Sequence, residues 1–96
     1  MTRPEMLLTI LSEECNETAQ RVSKALRFTL GEIQSEQLLT NAERIVYEFN
    51  DILAVMEMLQ EEGLLKNIID RDAIALKKYK VEKYLQYSVE TGAMTE

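Results

Sequence analysis

The chain has 96 residues, 46% of them apolar and 29% charged, and its 17 acidic and 11 basic residues give a net charge of -6. That is one globular domain, and its acidic balance argues against broad electrostatic binding to nucleic acid or to an anionic membrane. With no His and a single Cys, an intramolecular disulfide, the usual zinc sites and every Ser–His–Asp or Cys–His mechanism are excluded.

Pro4, Gly31, Gly63 and Gly92 divide the sequence into three long segments, each reading as a helix. The first is expected from about Pro4 to Thr29. Thr2 and Glu5 have capping-box spacing, Pro4 lies in the tolerant first turn, and Leu7, Leu11, Val22 and Ala25 fall on one helical face. Gly31 to Leu39 is polar and irregular and reads as a connection. Thr40 and Glu43 repeat the capping-box spacing, so a second helix is expected from Asn41 to about Glu62, with Gly63 as its C-cap. It is apolar nearly all round, from Ala42, Ile45, Val46 and Phe49 to Ile52, Leu53, Val55, Met56 and Leu59. A helix with so wide an apolar arc is expected to be buried on more than one side.

Leu64 to Ile69 reads as a short apolar connection. Asp70 or Asp72 then caps a third helix reaching about Glu90, with Gly92 just beyond. Its apolar stripe is narrow (Ile74, Val81, Leu85), and a second face carries Lys77, Lys80, Lys83, Tyr84 and Tyr87. Three helices do not easily enclose so apolar a central one. The expected architecture is therefore all-α, three long helices per chain completed into a bundle by a homodimer or higher oligomer; the alternative is a monomeric three-helix bundle. No apolar run approaches the roughly 20 residues a bilayer span needs. The opening Met-Thr-Arg-Pro-Glu lacks the apolar core of a secretory signal, so the expected compartment is the cytoplasm.

The chemistry lies in carboxylates. Glu13-Glu14-Cys15-Asn16-Glu17 falls in the middle of the first helix, and Glu48-Phe49-Asn50-Asp51 in the second. Paired acids on a helix ordinarily mark a solvated face. At about 100° per residue, however, Glu48 falls on the stripe of Ile45, Ile52, Val55 and Leu59, with Asp51 at its edge. Glu14 continues the line of Leu7, Leu11, Val22 and Ala25. Burying clustered carboxylates without partners is costly. Two kinds of partner can offset that cost: basic side chains such as Arg21 and Lys24, or a hard divalent cation, Mg²⁺ or Mn²⁺, in an oxygen-only site. A Mg²⁺ site of this kind points toward phosphate oxygens and a nucleotide.

The ordered pair Glu13-Glu14-x-x-Glu17 and Glu48-x-x-Asp51 resembles the signature of the all-α nucleoside triphosphate pyrophosphatases. That superfamily includes MazG-like proteins, dimeric dUTPases and phosphoribosyl-ATP pyrophosphatase. Lys24 shortly after the first motif, Ile-Leu-Ala-Val after Asp51, and the ending Lys80-Val-Glu-Lys83-Tyr-Leu-Gln-Tyr87-Ser88 are similar to small MazG-like proteins of bacteria and phages. The thirty residues between Glu17 and Glu48 are slightly more than the family pattern, so the connection is expected to be reshaped.

The resemblance implies hydrolysis between the α- and β-phosphates of a nucleoside triphosphate, giving monophosphate and pyrophosphate. Glu14, Glu17, Glu48 and Asp51 would hold Mg²⁺, with Glu13 as partner or base for a metal-bound water. Lys24, Lys80 and Lys83 would meet the triphosphate, and Tyr84 or Tyr87 would stack on a base. Two competing readings use the same residues: a non-catalytic helical oligomer that sequesters a nucleotide, and a dimerisation module whose acids are structural. Cys15, with no cationic neighbour in sequence, is not expected to act as a nucleophile.

Overall fold

A computed structural model describes all 96 residues as three helices without strands. They are α1 (Arg3–Phe28), α2 (Asn41–Glu61) and α3 (Arg71–Glu90), each within a residue or so of its expected bounds. Each begins on a side chain that accepts otherwise unpaired backbone N–H groups. Thr2 Oγ1 accepts from the Glu5 N–H at 3.2 Å. At α2 the box is reciprocal: the Glu43 N–H donates to Thr40 Oγ1 at 3.1 Å and the Thr40 N–H to Glu43 Oε1 at 3.0 Å. Asp70, rather than Asp72, caps α3, with Oδ1 accepting from the N–H groups of Asp72 and Ala73 at 3.0 Å each.

Gly63 ends α2 just beyond the cap, at φ 76°. There the Leu64 N–H reaches Leu59 O at 3.0 Å and the Gly63 N–H reaches Gln60 O at 2.9 Å, the paired bonds of a Schellman stop that favours glycine.

Helices α1 and α2 form an antiparallel hairpin. Wholly or partly covered residues recur in alternating steps of four and three: Leu7, Leu11, Glu14, Thr18, Arg21 and Ala25 on α1, and Asn41, Ile45, Glu48, Ile52, Val55 and Leu59 on α2. That seven-residue repeat lets two helices pack along their length. One end of the seam is apolar, with Leu7, Val55 and Leu59 buried and Ile10, Leu11 and Leu65 packed on them. The other end is polar. Asn41 is fully buried and donates through Nδ2 to Thr29 O at 2.8 Å and to Glu32 Oε1 at 3.1 Å.

Two expectations change. Val22 is half-exposed rather than part of the packed stripe, because it borders an open apolar hollow with Ala25, Leu26, Leu30 and Ile45 that nothing in the chain covers. Helix α2 is fully buried along the seam alone, not on more than one side: Ala42, Leu53 and Met56 are only partly covered, and Val46 is 60% and Phe49 55% exposed. The cause is α3. None of its Cα atoms lies within 8 Å of α1 or α2, and none of its residues is buried. No helix is long and apolar enough to cross a membrane.

Candidate functional site

Packing along the hairpin is interrupted at mid-length, where Glu14 of α1 and Glu48 of α2 occupy seam positions. Both are half-buried, and Oε2 of each is closed off from water with no hydrogen-bond partner. Glu17, one turn along α1, is exposed, but one carboxylate oxygen from each of Glu14, Glu17 and Glu48 lies within 4.8 Å of the other two. Asp51 is half-buried at the stripe's edge and outside that trio, yet close enough for its charge to act on Glu14 and Glu48.

Withdrawal from water holds the Glu14 carboxyl above its ordinary range, reinforced by the charges of Glu17, Asp51 and Glu48. Glu48 is raised in the same way, by desolvation and then by Glu17 and Asp51, while Arg21 and Arg44 pull it partly back. No basic group lies within 4.0 Å of these carboxylates; the chain's one ion pair joins Arg3 to Glu62 at 3.2 Å, at the hairpin's apolar end. The ion-pair explanation offered by Arg21 and Lys24 is therefore not realised. Close carboxylate oxygens without partners are the donor set a hard divalent cation takes.

The other candidates are more scattered. Glu13 is exposed and outside the trio. Lys24 is half-buried on α1. Lys80, Lys83, Tyr84 and Tyr87 line a shallow hollow of their own on α3, where Lys83 Nζ also lies 4.9 Å over the Tyr79 ring. Since α3 stands off the hairpin, one chain does not bring that hollow to the carboxylates. Asn50 points its amide at its own helix, donating to Val46 O at 2.8 Å, and Cys15 is exposed.

Sequence reading missed Gln34 and Arg44. Gln34 Oε1, in the connection, accepts from Arg44 Nη1 at 2.9 Å and from Arg21 Nη1 at 3.3 Å. Part of the signal was present: Arg44 is four residues before Glu48, as Arg21 is four after Glu17. The path of the connection that joins them has no such signature.

Comparison of the chain with models of known families, with curated proteins and with solved structures finds no match in any of the three.

Proposed function

We propose that the chain is the subunit of a Mg²⁺-dependent nucleoside triphosphate pyrophosphohydrolase, with Mn²⁺ as a substitute metal. The observation that carries this reading is the pair of seam carboxylates, Glu14 and Glu48, each with an unpartnered oxygen and both within 4.8 Å of a Glu17 oxygen. Carboxylates in packing positions cost stability unless a cation joins them, and the resemblance of the two acidic motifs supplies the reaction class.

In this reading Glu14, Glu17 and Glu48 hold the metal, with Asp51 at the rim. A Mg²⁺ ion held there would supply charge neutralisation for phosphate oxygens and a more acidic water. Glu13, exposed beside Glu14, would serve as partner or base for such a water. Lys24 faces the polyphosphate from the same helix.

We also propose a homodimer or higher oligomer. The chain exposes 7660 Å², whereas a compact monomer of this mass exposes about 5,700 Å². The surplus is of the size a second copy covers in a stable interface. Lys80, Lys83 and Tyr87 then meet the nucleotide from another copy's α3.

The test is incubation with a panel of NTPs and dNTPs in Mg²⁺, Mn²⁺ or EDTA, measuring monophosphate and pyrophosphate, with Glu48→Gln alongside. Metal-dependent release lost in the variant is the expected result. Nucleotide bound but left intact would move the assignment to sequestration, and no interaction at all would leave the acids a structural role.

A further inference from the structure

The two guanidinium groups gathered by Gln34 have no carboxylate within 4.0 Å. Each arginine carries five N–H donors in a planar fork, and Gln34 takes one bond from each, at 2.9 and 3.3 Å. Both side chains are half-buried, and the chain's one ion pair lies elsewhere. Neutralisation was available at little structural cost. A glutamate at position 34 would bind both cations more strongly than an amide does, and the connection already contains a glutamate, Glu32, whose carboxylate is turned to Asn41 instead.

Position gives the pair a direction. By the helical repeat, Arg21 follows Glu17 by one turn on α1, and Arg44 precedes Glu48 by one turn on α2. Because the helices are antiparallel, both steps run the same way along the hairpin, toward the connection. The two arginines thus meet at Gln34 on the connection side of the carboxylates, close enough for their charge to act on Glu48. Acid at one station and base without a direct ion-pair partner at the next suits a polyphosphate chain, one part bridged to the acids by a cation and the next held directly by guanidinium forks.

We propose that Arg21 and Arg44, positioned by the neutral Gln34 amide, form a clamp for a phosphate group of the substrate's polyphosphate chain. The proposal rests on the pyrophosphohydrolase reading and names the residues that take its leaving end. The experiment is a titration of the full chain with inorganic tripolyphosphate in Mg²⁺, with nucleotide turnover measured in parallel. The variants are Gln34→Glu, Arg44→Gln and Arg44→Lys.

Gln34→Glu is expected to fold at least as well as the wild type, because it replaces the neutral acceptor of two guanidinium hydrogen bonds with a carboxylate, turning both into salt bridges. Its tripolyphosphate affinity falls about tenfold or more as the arginine charge is consumed, and KM rises by more than kcat falls. Arg44→Gln loses affinity similarly, and Arg44→Lys retains part of it. A merely structural Gln34 would move thermal stability and leave affinity unchanged. Wild type and all three variants binding alike would overturn the clamp while leaving the reaction assignment standing. A wild type that binds no tripolyphosphate and turns over no nucleotide would overturn both.

Discussion

Glu48 occupies a packing position and carries a charge, and the consequence is legible in titration. Its carboxyl and that of Glu14 are raised above the ordinary 4.5 by desolvation and by neighbouring acids. The folded chain therefore holds these protons at a pH where the unfolded chain has released them, so stability falls as pH rises through the window between 4.5 and the raised values. Glu43 behaves oppositely. Hydrogen bonds from the Thr40 backbone and hydroxyl lower its pKa, so its contribution is full above 4.5 and disappears only as pH falls through the lowered value. The metal-free melting temperature is accordingly expected to rise as pH is lowered from 7 toward the upper edge of the carboxylate range, then to decline in stronger acid. Glu48→Gln, which removes one seam charge, should raise the metal-free melting temperature by a few degrees at pH 7 and weaken this pH dependence. In the wild type, Mg²⁺ at a hundred times its Kd should stabilise by about 2.7 kcal/mol, and the variant should lose most of that shift in a thermal scan.

Among the elements, the connection holds a local strain. Thr29 has φ 78° and ψ 157°, a region comfortable only for glycine and costing a β-branched residue about 1–3 kcal/mol. It is kept there by Asn41, whose buried amide takes the Thr29 carbonyl at 2.8 Å. Thr29→Gly should therefore stabilise the fold by about 1 kcal/mol after the entropy glycine adds to the unfolded chain. Asn41→Ala should cost about 1–3 kcal/mol by leaving that carbonyl unpaired; both are measurable by urea unfolding. Helix bounds were readable because their signals are local: Thr2, Thr40, Asp70, Gly63 and Gly92 act within a few residues of themselves. The placement of Glu14 and Glu48 in the seam was readable from the helical repeat for the same reason. The Gln34–Arg21–Arg44 junction was not, since it depends on the route of residues 29–40, and neither was the exposure of Val22, which depends on what the connection leaves uncovered.

At the scale of the whole molecule, the radius of gyration is 16.8 Å, against about 12.5 Å for a compact chain of this length. The excess comes from α3, which stands off the hairpin and leaves Val46, Phe49, Val81 and Leu85 open to water. Nothing in the periodicity of α3 foretold this, because an amphipathic stripe does not say which chain will cover it. If a second copy does so, sedimentation should give at least a dimer at micromolar concentration, and Phe49→Asp should shift it toward monomer. A monomer in the wild type would overturn the oligomer reading while leaving the carboxylate trio in place.

The like charges at the hairpin's midpoint also divide its two ends dynamically. Leu7, Val55 and Leu59 clamp one end and the buried Asn41 the other, while Glu14 and Glu48 repel each other between them. In amide hydrogen exchange without divalent cations, protection should be deepest toward the two clamped ends and dip near residues 14–18 and 48–52. Cation binding should flatten that profile, because the same ion that neutralises the acids would also latch the weakest turn of the hairpin.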